Sequence, residues 1–477
     1  MIALRPLWAR IGAAARRPAP VSDAVIVALF AAAVRGAWVA WAAGRFPPAE
    51  DGHFYHVVAQ RIAAGDGYTW LWPDGAVTYA AHYPIGYPAL AGALYSVFGA
   101  RPGVLMGLQA LLGAASVAAT HRLAASRAGR FGALLAALLV ALSPGLVAYT
   151  AAFMTEGVVA ALLVIAGWLV LAVRRATTRR ARLAWSLGLG LLLGAATLVR
   201  PQSVLLAPVF GAVAWLPSTA LRLARLWRPA LAGALVASVA LLTCLPWTVR
   251  NCARLSRCVF VSANGGWNLL IGATDGATGS WVPIEGDRVP LACRTVFDEA
   301  EKDACFAGAA VDRIRDRPVA WLGLVPAKLA ATFDYVGAAA FYLHSSNPAA
   351  FGADAKLRLG VWETAWHRLT LLLALLAVAR PPAPLGAPRR LGAGVSLLFL
   401  LQRAGWVAHV GLVASGALLG KAALRNVPLL LAVSTLALTL VTHAVFFGAG
   451  RYALACFPLL AALAGTLCVG PADPEPL

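Results

Sequence analysis

Asp51 is the residue of this sequence with the clearest capacity for acid–base chemistry. It follows a pair of prolines, and Tyr55 comes four residues later. The apolar residues Val58 and Ile62 continue a helical stripe from Tyr55, so we expect a helix that begins near Asp51 and places Asp51 and Tyr55 on one face. A carboxylate in this position can take a proton from a hydroxyl group, or it can simply cap the helix. Spacing alone leaves both interpretations open.

Basic residues near the ends of apolar segments are candidates for binding an anion. They are Arg200, Arg250, Lys328 and Arg451. A guanidinium group presents a planar fork that matches two oxygens of a phosphate. Each of these residues equally well suits a membrane anchor whose charged end reaches water. The same two interpretations apply to all four.

Glu156 is the only acidic residue between Asp74 and Asp275, and it comes directly after an apolar segment. An ionisable side chain near a membrane is by default a candidate functional residue. The alternative is an ion pair with Arg200 that stabilises the ends of two helices and does no chemistry. The sequence favours neither.

The segment 246–281 combines turn signals with a short apolar run. Residues 258–263, Cys-Val-Phe-Val-Ser-Ala, predict a short strand. Asn264 and Asn268 lie in an Asn-Gly-Gly-Trp-Asn stretch, and Asn-Gly pairs are typical of tight turns without further function. Helical patterns return between residues 293 and 335.

Four cysteines lie in or beside this region: Cys252, Cys258, Cys293 and Cys305. In an oxidising compartment they predict two disulfides. Three connectivities are open, and we favour the pairs that are close in sequence, Cys252–Cys258 and Cys293–Cys305. A metal site is the alternative, but the spacing fits no zinc pattern.

The amino-acid composition indicates the environment of the protein. The 477 residues are 60% hydrophobic and 13% charged, against about 25% charged in soluble proteins. This excludes a disordered chain, an ordinary cytosolic enzyme and a nucleic-acid-binding domain. The net charge of +20 is distributed in short basic clusters between apolar runs, as in membrane proteins.

The apolar runs predict a polytopic α-helical membrane protein with about 10–12 transmembrane helices, because about 20 residues cross the hydrocarbon core. The runs are 24–44, 103–120, 131–149, 157–173, 183–199, 202–216, 230–248, 364–379, 427–446 and 452–469, with 391–420 less regular. We expect a cytoplasmic N-terminus (1–23), a membrane module (24–249) with outer loop one at 45–102, a large outer loop (250–362) and a C-terminal membrane module (363–477). Residues 84–99 are expected to form a helix along the membrane surface. The two outer loops should form a small α/β periplasmic domain.

The charges assign the two sides. Five basic clusters share one side if the N-terminus is cytoplasmic. They are Arg5, Arg10, Arg16 and Arg17; Arg122, Arg127 and Arg130; Arg174, Arg175, Arg179, Arg180 and Arg182; Arg222, Arg225 and Arg228; and Arg380, Arg389 and Arg390. Acidic residues concentrate in the two outer loops, so we expect any carboxylate chemistry on the outer face. We read the first apolar run as a span and not as a cleaved signal peptide.

Several short motifs occur along the chain in an order that resembles the order in a known protein family. They are Asp51-x-x-x-Tyr55, His82-Tyr83-Pro84-x-Gly86-Tyr87-Pro88, Thr155-Glu156, Arg200-Pro201, Pro246-Trp247-x-x-Arg250-Asn251, Asn264-Gly265-Gly266-x-Asn268-Leu269, Gly272, Lys328, His443, Gly450-Arg451-Tyr452 and Pro458. In this order and sidedness the sequence resembles the bacterial membrane glycosyltransferases of the GT-C class, which are related to protein mannosyltransferases and lipid A aminoarabinose transferases.

The resemblance implies an inverting glycosyltransferase in the bacterial inner membrane with Asp51 as its catalytic base. The implied donor is a polyprenyl-phosphate sugar, and the acceptor is a hydroxyl of a lipid, glycan or protein. The implied substrate-binding residues are Tyr55, His82, Glu156, Arg200, Arg250, Asn264, Asn268, Lys328, Arg451 and Tyr452. We expect at least two of Arg200, Arg250, Lys328 and Arg451 to contact phosphate. No cofactor is expected to be required, although Asp51 or Glu156 could bind a divalent cation.

One departure from the family concerns the start of loop one. Relatives often have Asp-Glu there, whereas this chain has Glu50-Asp51-Gly52. Asp51 keeps the spacing to Tyr55, so it aligns with the family's catalytic aspartate. The role of the second acid falls to Glu50 or is lost.

Three other classes of protein remain open. A transporter or lipid flippase tends to show internal repeats and mid-span charges, and here Arg35 and His409 are the mid-span exceptions. A polysaccharide polymerase or ligase would use the same lipid-linked donor. A structural membrane protein would not depend on Asp51.

Overall fold

The computed structural model describes residues 19–217, 226–379, 394, 396–400, 402, 404–418, 424 and 426–468. Arg5, Arg10, Arg16, Arg17, Arg222, Arg225, Arg380, Arg389 and Arg390, which were used to assign the sides, lie outside these residues, as does part of segment 391–420. The described chain is mainly helical, as the sequence predicts.

The α-helices and strands follow in chain order. They are α1 (Val21–Ala42), α2 (Asp51–Ala64), β1 (Thr69–Leu71), β2 (Val77–Tyr79), α3 (Gly86–Phe98), α4 (Pro102–Ala124), α5 (Arg130–Ala141), α6 (Pro144–Ala148), α7 (Glu156–Arg175), α8 (Arg179–Val199), α9 (Leu206–Trp215), α10 (Trp227–Arg254), α11 (Gly265–Ile271), α12 (Glu299–Asp316), α13 (Pro318–Gly323), α14 (Val325–Phe333), α15 (Ala338–Ser346), α16 (Ala353–Ala379), α17 (Gly405–Leu418), α18 (Val427–Val445) and α19 (Phe457–Gly465). Short 3₁₀ segments precede α9 at Pro201–Leu205 and α19 at Gly450–Cys456.

Seven helices in the described part are long and apolar enough to cross a membrane: α1, α4, α7, α8, α10, α16 and α18. Four shorter apolar segments accompany them: α5, Pro201–Trp215, α17 and Gly450–Gly465. The bent pair formed by Pro318–Phe333 and Ala338–Ser346 also passes the span test, with an angle of 70° between its halves. It falls in the region that the sequence assigns to the large outer loop.

Small residues let the apolar helices approach closely. A Cβ atom on Gly233 of α10 would lie 2.6 Å from the carbonyl oxygen of Pro208 in α9, so only glycine fits there. Backbone approach of this kind is typical of helix pairs in lipid, where dispersion and close packing drive association. Helix α7 is central, and most of its residues are buried.

The charged ends of α7 and α8 define the two sides of the helix bundle. Glu156 begins α7 and Arg200 follows the end of α8, so the two residues share one end of this antiparallel pair. The opposite end of the pair carries Arg174, Arg175, Arg179, Arg180 and Arg182. Asp23 is an exception to the outer placement of acids, because it pairs with Arg130, a member of a basic cluster, at 2.6 Å.

Loop one contains α2, a hairpin and α3. Helix α2 ends before Gly65, whose φ of +91° is left-handed and favours glycine. Strands β1 and β2 pair antiparallel with Trp70 opposite Thr78, and they form the only sheet in the part of the chain that the structure describes. The predicted helix over 84–99 is present as α3.

The strand predicted at residues 258–263 is wrong. These residues form no strand, because several of their carbonyl groups bind side chains of α10 in place of a neighbouring strand. Trp247 donates to the Val261 carbonyl at 2.8 Å, and Thr248 donates to the Phe260 carbonyl at 2.7 Å. The apolar run was therefore a good indicator of burial and a poor indicator of pairing.

The region from residue 252 to 316 is held together by two disulfides and a small core. Cys252 is bonded to Cys258 and Cys293 to Cys305, which are the pairs close in sequence. The core includes Leu270, Ile271, Phe306 and Phe447, so it joins this region to the segment after α18.

Candidate functional site

Asp51 occupies the first position of α2, and its carboxylate does not cap the helix. The Tyr83 hydroxyl donates to Asp51 Oδ1 at 2.7 Å, and Arg451 Nη1 donates to Oδ2 at 2.8 Å. The side chain keeps a quarter of its surface exposed, so a reactant can still reach it. The helix-cap interpretation left open by the sequence therefore does not describe this residue.

The surroundings of Asp51 favour its ionised form. Burial raises the pKa of the Asp51 carboxyl, but the Arg451 guanidinium and hydrogen bonds from Arg451 and Tyr83 lower that pKa by more. The net pKa lies below the ordinary value of an aspartate. Asp51 is thus an unprotonated carboxylate that is partly neutralised by an adjacent cation.

Arg451 joins Asp51 to a second acid. Its Nε lies 3.6 Å from Glu156 Oε1, and Arg200 Nη2 lies 2.6 Å from the same oxygen. Glu156 is fully buried, and its other oxygen, Oε2, has no hydrogen-bond partner. The four side chains form a continuous cluster with two formal negative and two formal positive charges, so the cluster as a whole is neutral.

Tyrosines surround this cluster. The Tyr342 hydroxyl accepts a hydrogen bond from Arg451 Nη1, and the Tyr452 hydroxyl accepts one from Nη2 at 3.3 Å. The guanidinium carbon of Arg200 lies 4.9 Å from the Tyr452 ring centre. Tyr55 is buried beside the cluster and packs edge to face on Tyr83 at 5.1 Å.

Two predicted residues, His82 and Tyr452, also make ring contacts beside the cluster. His82 packs against Tyr83 with ring centres 4.7 Å apart. Burial lowers the pKa of His82, while Asp51 opposes that change, and the net pKa is lowered. Tyr452 stacks on His443 with centres 4.0 Å apart and an interplanar angle of 11°.

The remaining predicted residues are engaged elsewhere. Arg250 binds the carbonyl oxygens of Ala80 at 2.8 Å and Tyr68 at 2.7 Å. Lys328 is fully buried, and its ammonium group donates to the Val445 carbonyl at 3.1 Å, near the end of α18. Such a contact satisfies a helix-end carbonyl that lacks an intrahelical partner.

Asn264 and Asn268 lie at α11. Asn264 precedes this helix and accepts a hydrogen bond from Ser262 at 3.1 Å, while Asn268 lies inside it. Trp267 between them contacts the His82 ring at 5.4 Å, so this segment reaches the Asp51 cluster through His82 and Tyr83.

Glu50, the other acid at the start of loop one, makes its contact outside the Asp51 cluster. It is exposed and its carboxylate accepts a hydrogen bond from Ser345. Glu50 also has a positive φ of 53°, and it is the only non-glycine with a positive φ among the described residues. This unusual backbone conformation directly precedes Asp51 and turns the chain into α2.

Sequence reasoning did not single out Tyr83 and Tyr342 as site residues. Tyr83 stands beside His82 in a motif that carried the resemblance, so adjacency was a usable signal. Tyr342 lies in an apolar helix without any motif, and only the folded chain brings its hydroxyl to Arg451.

Arg200 also borders a pocket between α7, α9 and α18. One wall is apolar and includes Leu163, Leu206 and Leu438, while Ser203 and Thr435 provide hydroxyl groups. The pocket therefore connects the charged cluster to the apolar interior of the helix bundle.

Part of this chain matches the model of a known protein family. Residues 82–249 match the family model of the dolichyl-phosphate-mannose-protein mannosyltransferases. The matched segment contains His82, Glu156 and Arg200. It confirms the resemblance to the membrane glycosyltransferases, and together with the apolar helices it identifies a multi-pass membrane protein. No curated protein matches the chain significantly.

Three solved structures that match this chain are distant from it in sequence. The oligosaccharyltransferase of Archaeoglobus fulgidus, with a tethered acceptor peptide, is 13% identical with a TM-score of 0.48, and the alignment covers 94% of this chain and 49% of that one. The same archaeal protein, AglB, in complex with an inhibitory peptide and a dolichol-phosphate is 15% identical with a TM-score of 0.46, covering 94% and 50%. ArnT from Cupriavidus metallidurans bound to undecaprenyl phosphate is 16% identical with a TM-score of 0.38, covering 93% and 77%. The chain spans about half the length of the archaeal enzyme.

Proposed function

We propose that this chain, whose residues 82–249 match a mannosyltransferase family, is an integral membrane glycosyltransferase that inverts the anomeric centre. It transfers a sugar from a polyprenyl-phosphate donor to an acceptor hydroxyl. The observation that carries the proposal is the ion pair between Asp51 and Arg451, which is joined through Arg451 to Glu156 and Arg200.

The reaction requires one proton transfer and one displacement. Asp51 accepts the proton of the acceptor hydroxyl as its oxygen attacks the anomeric carbon. The bond from that carbon to the phosphate oxygen breaks, and the phosphate leaves with the electron pair. A phosphate is a stabilised anion and needs no proton, so the second carboxylic acid of an inverting glycosidase is unnecessary.

Arg451 and Arg200 are suited to hold the phosphate. Their guanidinium groups are already satisfied by Asp51 and Glu156, so an arriving phosphate must compete with a carboxylate for them. Each contact that Arg451 transfers from Asp51 to the phosphate removes an influence that lowers the pKa of Asp51. Donor binding would thereby make Asp51 a stronger base when the substrate is present.

The lipid part of the donor needs an apolar path from the cluster into the membrane. The small pocket beside Arg200, whose apolar lining includes Leu163, Leu206 and Leu438, lies where such a path would begin. We place the active site on the outer face of a bacterial cytoplasmic membrane, because the Asp51 cluster lies at the end of α7 and α8 opposite their arginines.

A metal ion is not required in this proposal. No group of three His, Cys, Asp or Glu side chains that could hold one occurs among the described residues. We therefore expect activity to persist in EDTA, although Asp51 or Glu156 could bind a divalent cation. Activity that vanishes in EDTA and returns with added Mg²⁺ or Mn²⁺ would add a metal to the site.

The function is tested by mass spectrometry of glycans and polyprenyl-phosphate sugars in a deletion strain. We expect the lipid-linked sugar to accumulate and one glycan or lipid to lose a sugar residue. The wild-type gene should restore the product and Asp51→Asn should not. Full restoration by Asp51→Asn would exclude the proposal and favour a transporter or a structural protein.

A further inference from the structure

Glu299 binds the backbone directly before the tyrosine that contacts Asp51. Its Oε2 accepts hydrogen bonds from the amide groups of Ala81 and His82, the latter at 2.8 Å. The next residue is Tyr83, whose hydroxyl donates to Asp51 at 2.7 Å. One carboxylate on α12 is therefore connected to the candidate base through two backbone amides and one side chain.

The carbonyl groups of the same segment are bound as well. Three of these carbonyl groups accept a hydrogen bond from a residue outside the segment 80–83. Arg250 donates to the Ala80 carbonyl, the Ala263 amide to the Ala81 carbonyl, and the Tyr68 hydroxyl to the Tyr83 carbonyl. Glu299 supplies the acceptor for two amide groups of the same segment, those of Ala81 and His82. Its loss would leave two amide groups without this partner while the carbonyl contacts remain.

Helix α12, which carries Glu299, is held in place by further contacts. One turn further along the same face, Asp303 accepts a hydrogen bond from the Trp267 amide at 2.9 Å at the start of α11. A Cβ atom on Gly266 would collide with the Asp303 carbonyl oxygen, so glycine is required for this approach. The Cys293–Cys305 disulfide ties the helix to the preceding segment.

The charge of Glu299 also has a specific use in this position. The side chain is partly buried, and burial raises the pKa of Glu299; the two amide hydrogen bonds oppose that rise, but the net pKa stays above the ordinary value of a glutamate. A carboxylate that accepts two amide protons forms stronger hydrogen bonds than a neutral acceptor. Because Glu299 Oε2 is occupied by two backbone amides, the contact holds the backbone of residues 81 and 82.

We propose that Glu299 is a positioning residue, which holds the backbone at residues 81 and 82 so that the Tyr83 hydroxyl stays on Asp51. The consequence for catalysis rests on the proposed function of Asp51. The structural connection does not, so it is tested without any glycosyl transfer.

The first measurement is hydrogen–deuterium exchange by mass spectrometry on the full-length protein in lipid nanodiscs. In Glu299→Ala, exchange in the peptide that contains residues 80–84 should rise about tenfold or more, because both amides lose their acceptor. Glu301→Ala is the matched control, since Glu301 is an exposed acid on the same helix. Unchanged exchange in Glu299→Ala would overturn the proposal.

The second measurement is an infrared titration of the Asp51 carboxyl, assigned by subtracting the spectrum of Asp51→Asn. Loss of the Tyr83 hydrogen bond should raise the pKa of Asp51, because that bond lowers it in the wild type. We expect the same upward shift in Glu299→Ala and Tyr83→Phe, and no larger shift in the double variant than in Tyr83→Phe. An unshifted Asp51 in Glu299→Ala, or additive shifts in the double variant, would overturn the positioning role.

Two further substitutions of Glu299 complete the test. Glu299→Gln retains an oxygen acceptor and should recover most of the protection from exchange. If Glu299→Ala gives no folded protein, Glu299→Asp replaces it, because the carboxylate is then withdrawn by one methylene group. If the exchange and titration results are as expected but no lipid-linked sugar is consumed, the proposed function fails and the positioning of Asp51 stands.

Discussion

Asp51 and Arg451 are 400 residues apart in the chain, yet their side chains form an ion pair of 2.8 Å. The pair connects the start of outer loop one with the 3₁₀ segment before the last described helix. Because Arg451 also contacts Glu156, the first loop, the central helix α7 and the end of the chain meet at one cluster.

Removal of the proposed base should abolish most of the turnover. Asp51→Asn keeps the shape of the side chain but cannot accept the acceptor's proton, so kcat should fall by about 10²–10⁴. The measurement is transfer from the lipid-linked sugar identified in the deletion strain. Asp74→Asn, in an exposed hairpin turn of the same loop, is the control and should behave as wild type.

The acid limb of the pH–rate profile should depend on Arg451. The pKa of Asp51 is lowered by Arg451, so the wild-type enzyme should keep an ionised base below the usual aspartate pKa of about 3.9. Arg451→Lys loses the fork that serves Asp51, Tyr342 and Tyr452, and the pKa of Asp51 should rise.

The acid limb of kcat should therefore move to higher pH in Arg451→Lys. The same shift affects stability: the contribution of Asp51 is present above its unfolded-state pKa and is lost as pH falls through its lower folded-state pKa. Identical acid limbs in the two proteins would show that Arg451 does not tune the base.

Loss of charge at Glu156 should destabilise the fold strongly. Glu156 is fully buried between Arg200 and Arg451, so Glu156→Gln leaves two guanidinium groups without their shared carboxylate. Breaking a buried pair in this way costs about 3–5 kcal/mol in the free energy of unfolding. Thermal unfolding in detergent provides the measurement.

The matched comparison is Asp275→Asn, which breaks an ion pair with Arg317 whose side chains are about three-quarters exposed. Pairs of this kind contribute less than about 1 kcal/mol. A loss of stability in Asp275→Asn that equals the loss in Glu156→Gln would contradict the structural role of the buried cluster.

The two disulfides are accessible to chemical counting. Alkylation of the unfolded, unreduced protein should label Cys244, Cys456 and Cys468 and leave the other four cysteines unlabelled. Cys293→Ser should destabilise the outer region by about 2–4 kcal/mol, and by more than Cys252→Ser, because it opens the longer loop. Limited proteolysis between residues 255 and 316 is the readout, and equal cleavage of both variants would contradict this order.

The long apolar helices are the part of the fold that could be predicted best from the sequence. Helices α1, α4 and α7 correspond to the predicted runs 24–44, 103–120 and 157–173. A helix needs about 20 apolar residues to cross a bilayer, so runs of this length are easy to recognise in a sequence. The strand predicted at 258–263 failed because its apolar residues record burial, and burial against helix side chains looks the same in sequence as burial in a sheet.

For the candidate site, the sequence alone determined the residue types. Asp51, Glu156, Arg200 and Arg451 could be named in advance because charges are rare in this chain and each stands at the end of an apolar run. Only the tertiary structure decided that Arg451 contacts Asp51, that Arg250 binds backbone carbonyls, and that Tyr342 belongs to the site. Hydropathy and charge act on each segment separately, whereas the partner of a guanidinium group depends on how distant helices pack, and no local pattern records that packing.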